Sequence, residues 1–452
     1  MQSIAVISEN KVFLDRVKLL AENFKVPLHI YPNSDTFTDT GTGLNPQVVI
    51  LDSILAKDAN ETTGNVQAVK FTAPKSELAV VVAKKVETEA ALFIKKSGAT
   101  AVLLEDELLD NSKIEFVVAR AMNGEWIPIK VSDLMVDKPV SFVLYHLMPL
   151  HRKFLAFLQK NQILAADRMK KYEAVGEFYI RKEDLPGFRE YAKNNLDNSA
   201  GSLRRRCRAV YLSLVDAYRD LVMVLTDQSE GASFQAGKEL YAKMILMSQE
   251  LISSLASYGE PTEVINNAEI ADVTAVDRAP AIAAFAGLLS LELGIGKPEE
   301  VMVAALLADI GLLDLPVRAL APVRLGQWDQ LRPEDLKTYQ YHPTISLNKA
   351  LSRKMSIEED LKKVILCTHE RADGKGFPGA LLRDKIPDES FLIRFAEEMD
   401  RASLVRFGEP RLKPSEVKKK MLDQYLTPTS GYPMDLMMKI RQHLMESVGP
   451  KQ

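Results

Sequence analysis

Cysteine is almost missing from this 452-residue chain: Cys207 and Cys367 are the only two, far apart and outside any CxxC pair. Neither a disulfide framework nor a thiolate metal site is expected. Histidine is scarce as well. The six are His29, His146, His151, His342, His369 and His443, and they cap the imidazoles that any metal centre could use. No uncharged apolar run reaches the roughly 18 residues of a membrane span, so none is expected. The opening MQSIAVISENKVFLDRV lacks a basic segment followed by an apolar one and a cleavage site, which argues against a signal peptide and makes the cytoplasm the expected compartment. A net charge of −3 gives no general pull toward nucleic acid or membrane, so any anion site must be local.

The length predicts a multidomain chain with ample core. Over 1–125, short apolar runs alternate with amphipathic segments. Strands are expected at Ile4 to Ile7, Pro27 to Ile30, Val48 to Leu51, Leu78 to Ala83 and Ala101 to Leu104. Helices are expected over Lys11 to Phe24, Glu87 to Ser97 and Lys113 to Met122. This alternation predicts an α/β doubly wound parallel sheet, and the layout resembles a response-regulator receiver domain. That resemblance makes Asp52 the phosphoacceptor candidate. It also shows departures: Ser8-Glu9-Asn10 stands where an acidic pair is expected, Ala83 replaces a Ser or Thr, and Glu105 replaces the Lys. An anion in place of that cation would repel phosphate, so Asp52 has a second reading as the cap of a strand-end loop.

Residues 126–196 read as a small α/β module. Strands are expected at Val140 to Tyr145 and Glu177 to Ile180, a helix over His151 to Gln162 and a turn from Glu183 to Pro186. His146 and His151 flank Pro149 at a spacing unsuited to helical ligands and are read as surface or packing residues. From 197 to 260 apolar residues recur every three or four, predicting two long helices joined near Gly231, of the kind that link domains and form homodimers. Arg204, Arg205, Arg206 and Arg208 form a basic cluster whose simplest reading is a solvated face, with anion binding as the alternative.

From 261 to 452 the chain reads as an all-α domain. Ile282, Phe285, Leu289 and Leu293 form a core-facing stripe, and Val301 to Leu307 is apolar all round and so should be buried. Asp309 ends that helix, and a carboxylate there needs a partner, a cation or a proton. Ile393, Glu397, Asp400 and Leu404 share one face of a later helix expected over Phe391 to Leu404. Between them, THERADGKGFPG at 368–379 puts His369 and Glu370 at a helix end, followed by a glycine-rich turn closed by Pro378.

These stretches resemble the HD-GYP family of metal-dependent phosphodiesterases, which open cyclic-di-GMP. The matches are Asp309, Ile310, Gly311 and Pro316, His342-Pro343, His369-Glu370, Asp373-Gly374 and Gly376-Phe377-Pro378, with Glu397 in place of the last metal-binding Asp. The departures fall on the chemistry. Ala308 stands for the His of the His-Asp pair, Thr368 for the first His of HHE, Leu312 for a Lys, Phe377 for Tyr and Arg278 for a His on the first helix.

A binuclear centre takes roughly six or more protein ligands to make hydroxide and neutralise developing charge. Here the resemblance leaves Asp309, His342, His369 and Glu397, enough for at most one divalent iron or manganese. Each has a plainer reading: His342 could begin a helix, His369 and Glu370 could cap one with Arg371 alongside, and Asp309 could bond amides of its own turn. The resemblance implies a catalytically degenerate signalling protein in bacterial cyclic-di-GMP pathways. Such a protein would bind other signalling proteins or the nucleotide, with Asp373, Gly374, Gly376, Phe377 and Pro378 as the partner-binding turn. The alternative is a phosphodiesterase with a reduced ligand set.

Overall fold

The computed structural model describes residues 3–446 apart from 84–87, 111, 124–125, 149–152, 173–176, 195–198, 227–229, 259–273, 275 and 405–410. His151 and the expected domain start at Pro261 lie outside the described residues. Two compact units emerge, Met1–Glu239 with Ala268–Ile270, and Leu240–Asn267 with Ala271–Gln452.

The first unit begins with five parallel strands, β1 (Ile4–Ile7), β2 (Leu28–Tyr31), β3 (Val48–Asp52), β4 (Glu77–Val82) and β5 (Ala101–Leu104), in the order β2-β1-β3-β4-β5. Such an order puts the chain reversal beside β1 and β3, where doubly wound sheets hold their ligands. β1 and β4 are almost wholly buried, as strands covered on both faces must be. Helices α1 (Lys11–Asn23), α2 (Ser34–Thr40), α3 (Ala59–Thr72), α4 (Thr88–Lys96), α5 (Glu105–Asp110) and α6 (Lys113–Asn123) connect and cover them. Polar α2 and α3 and the short α5 were not expected; side chains of Asn33 and Asp58 cap α2 and α3.

A second, antiparallel sheet follows, of β6 (Trp126–Lys130), β7 (Leu144–Met148), β8 (Lys153–Leu158) and β9 (Glu177–Arg181), ordered β6-β9-β7-β8. The helix expected over 151–162 is instead strand β8, because its aromatics serve a sheet: Phe154 pairs with Leu147 of β7 and stacks on Trp126, and Phe157 packs on Phe178. Strand β7 starts at Leu144, later than expected, and His146 packs on Phe178. After α7 (Ala166–Tyr172), the expected turn at 183–186 is the start of α8 (Leu185–Lys193), with Pro186 in its first turn where a missing N–H costs nothing.

Two long helices, α9 (Ala200–Thr226) and α10 (Glu230–Ala256), follow, and Gly231 lies inside the second. Two arginines of the α9 cluster, Arg205 and Arg208, are buried and so do not belong to a solvated face. Arg208 pairs with buried Asp133 at 2.7 Å, while Arg205 and Arg204 donate to the carbonyls of Asp133 and Ser132, each at 2.7 Å. These three guanidiniums fasten α9 to the chain after β6.

The second unit is helical. Its α11 (Ala279–Leu293) and α12 (Pro298–Ala308) are the hydrophobic centre, with Val301 to Ala308 all buried. Around them lie α13 (Val317–Leu325), α14 (Pro333–Ser352), α15 (Glu359–Leu366), α16 (Asp388–Ser403), α17 (Pro414–Lys420) and α18 (Met434–Glu446). Phe391, Phe395, Leu436 and Ile440 belong to a further core that seats α16 and α18.

Candidate metal centre

Asp309 stands at the junction of α12 and a 3-10 turn, Ile310–Asp314. That turn presses on α14: a Cβ at Gly311 would run into the carbonyl oxygen of His342. Instead the Gly311 amide donates to Ser346 Oγ at 2.7 Å, and Ser346 donates to the Ala308 carbonyl at 2.5 Å. Glycine is needed here for close approach, and the approach carries Asp309 to the imidazole of α14. No amide of its own turn caps the Asp309 side chain, so the carboxylate is left to His342.

His342 does not begin a helix; it lies inside α14, with Pro343 after it. Fully buried, it donates from Nδ1 to the Tyr339 carbonyl at 2.5 Å. That bond fixes the tautomer and aims Nε2 inward. Nε2 lies 3.5 Å from Asp309 Oδ1 and 3.1 Å from Nε2 of His369. The second histidine follows α15, and Phe377 stacks on it with ring centroids 4.8 Å apart. Burial first, then His342, Arg401 and Arg394, hold the His369 imidazole neutral by lowering its pKa well below the usual value. Asp309, His342 and His369 thus bring one carboxylate and two ring nitrogens within 4.8 Å of one another.

Glu397 joins this group from α16, with Oε2 3.4 Å from His369 Nδ1. Its other oxygen accepts from Arg401 at 2.5 Å. Burial pushes the Glu397 carboxyl up to about 7, against the pull of Arg401, with Asp309 adding to the rise and His342 opposing it. Asp400, one turn on, accepts from Arg278 at 2.7 Å and from Arg411 at 2.8 Å. Although burial would raise its pKa, those arginines hold it down at about 2. Sequence reasoning missed both arginines as pocket residues. The Glu397–Arg401 spacing of one helical turn was a usable signal; Arg278 and Asp400 are 122 residues apart and gave none.

The turn after His369 is built by Glu370, which is buried and accepts from the amides of Gly379 and Leu381 at 2.6 and 2.8 Å. Arg371 pairs with Asp373 at 2.7 Å and not with Glu370, the partner expected for it. A Cβ at Gly376 would collide with the backbone of Glu370 and Arg371, and Gly374 has φ of +74°. Asp373 is exposed at the tip, while Phe377 is half-buried because its ring covers His369. Elsewhere, Asp52 accepts from Ser8 Oγ at 2.5 Å and from the Ile54 amide at 3.0 Å.

An ion tests well against one part of this pocket and badly against the rest. Asp309, His342 and His369 offer the oxygen and imidazole donors that could hold a divalent metal ion. A bridged pair does not fit. Ala308 offers no donor, the buried Thr368 hydroxyl donates to the Ile365 carbonyl at 3.1 Å, and Glu397 and Asp400 are held by guanidiniums.

Comparison with known proteins agrees on the kind of domain. Residues 243–426 match the HD domain family, so the C-terminal region is an HD-type domain, a class typically metal-dependent. A cyclic di-GMP phosphodiesterase of Thermotoga maritima is 28% identical over 171 residues, 36% of this chain and 45% of the relative. The chain therefore spans less than half the length of that relative. A solved HDG"Y"P protein of Bdellovibrio bacteriovorus is similar over 71% of this chain and 100% of its own, at 21% identity and a TM-score of 0.43. Among the described residues no helix is long and apolar enough to cross a membrane.

Proposed function

We propose that the HD-type domain works in cyclic-di-GMP signalling as a binding element that does not hydrolyse the nucleotide. The observation that carries this reading is the pair of guanidiniums, Arg278 on Asp400 and Arg401 on Glu397, in a pocket where two-metal hydrolysis needs free carboxylates. Asp309, His342 and His369 would hold one divalent ion, which would supply a Lewis acid for a phosphate oxygen. The chain's own groups do the remaining work. Asp309 and the two imidazoles set the pocket's polar wall, Phe377 shields His369 from water, and Leu312, buried, leaves an apolar surface where the resemblance expects a phosphate-facing Lys.

Contacts with other signalling proteins would run through the exposed turn at Asp373, which Glu370 braces from inside. The N-terminal sheet fits a degenerate receiver in the same scheme. Asp52 is engaged by Ser8, so signalling there would go by protein contact rather than by phosphorylation, and α9 and α10 suit a homodimer. The three-donor cluster favours one other reading, a phosphodiesterase using a single ion.

Metal content and nucleotide turnover separate the two. Purified chain is expected to carry no more than one iron or manganese and to leave cyclic-di-GMP intact while binding it. Loss of the nucleotide over time, dependent on metal, would establish the second reading instead. The double substitution Ala308→His and Thr368→His should raise the metal content of the chain.

A further inference from the structure

The pocket beside Asp309, His342 and His369 already contains a cation, and it belongs to the chain. Arg401 donates to Glu397 Oε1 at 2.5 Å and lies 5.0 Å from the Trp328 ring centroid, over the aromatic face. Gly326 makes room for it: φ there is +70°, and a Cβ would meet Arg401 Cδ at 3.1 Å. Trp328 in turn stacks on Tyr339, with centroids 4.7 Å apart. A carboxylate and an aromatic face therefore hold one guanidinium, an environment that suits a weakly hydrated, planar cation. Glu397 links it to the cluster, reaching His369 Nδ1 with its free oxygen at 3.4 Å.

We propose that Arg401 is a resident counter-cation standing in for a second metal ion. It claims Glu397 and confines metal binding to Asp309, His342 and His369. A second divalent ion would have to share the same Glu397 carboxylate while facing a tethered like charge. The arginine wins because it is covalently part of the helix and loses no translational freedom on pairing. Arg278 treats Asp400 in the same way one turn along α16, so both acids on that face are closed from within. This inference rests on the single-ion reading given above and assigns to Arg401 the control of how many ions bind.

The test is calorimetric titration of the full chain with Mn²⁺, for the wild type, Arg401→Gln, Glu397→Gln and the double variant. The wild type should bind one ion. Arg401→Gln should bind two, or bind Mn²⁺ about tenfold more tightly, and adding Glu397→Gln should cancel that gain. Glu397→Gln alone should still bind one ion, because an amide oxygen can keep the 3.4 Å contact with His369 and the affinity falls by less than about tenfold. A folded Arg401→Gln chain, judged by circular dichroism and Tm, with unchanged Mn²⁺ binding would overturn the proposal. So would complete loss of the ion in Glu397→Gln, which decides the matter alone should Arg401→Gln fail to fold. Wild-type chain that binds no Mn²⁺ refutes only the single-ion reading, since the gain on Arg401→Gln can still be read; two ions in the wild type refute both.

Discussion

The acid at the end of β3 and the acids lining the C-terminal pocket are quietened by different chemistry. Asp52 is met by neutral donors, the Ser8 hydroxyl and the Ile54 amide. Glu397 and Asp400 are met by guanidiniums. Neutral hydrogen bonds at a half-exposed carboxylate contribute little and can be exchanged for water. Buried ion pairs behave otherwise, since removing one partner strands a charge in a dry interior. The comparison teaches that the two regions should differ sharply in what they tolerate: the first should be open to substitution, and the second should hold its shape only while its arginines stay paired.

The largest effect should follow Asp400→Asn. Arg278 and Arg411 would lose their counter-charge, and the C-terminal domain should lose about 3 kcal/mol in denaturant unfolding; a loss below about 1 kcal/mol would remove the distinction between the regions. Next is Gly311→Ala, whose Cβ must displace the turn from the His342 carbonyl. About 2 kcal/mol of overpacking is expected, together with weaker Mn²⁺ binding as Asp309 moves away from the imidazoles.

Acid provides a third check. Asp400 has a pKa of about 2 in the folded chain against an ordinary 3.8, so the unfolded form takes up its proton first. The stability it supplies, about 2 kcal/mol, is present above 3.8 and is lost as pH falls toward 2. Unfolding followed at pH 5 and pH 3 should show that slope in the wild type and a flatter one in Asp400→Asn. The smallest effect should be Ser8→Ala, at under about 1 kcal/mol, with the N-terminal sheet intact by circular dichroism.

Much of the fold was legible where one periodicity dominates. Four of the five parallel strands are built on continuous apolar runs, β2 with His29 being the exception, and the all-round apolar stretch from Val301 to Leu307 could only be a central helix. Legibility failed where a short apolar run fits two periods: Phe154 and Leu158 are a helical turn apart, yet Phe154 and Phe157 serve a strand. It failed again for charged residues, because Arg205 and Arg208 acquire their meaning from Asp133, more than 70 residues earlier. At the pocket, Asp309, His342 and His369 were readable from motif positions. Arg278 was read only as a missing histidine; its pairing with Asp400 depends on how α11 meets α16, which no local pattern records.

The central claim, that internal arginines have replaced metal in a retained pocket, is tested most directly by counting ions. Elemental analysis of the purified chain, incubated with excess Mn²⁺ and cyclic-di-GMP and then desalted, should give no more than one ion per chain with the nucleotide unhydrolysed. Two ions per chain accompanied by opening of the cyclic dinucleotide would contradict it.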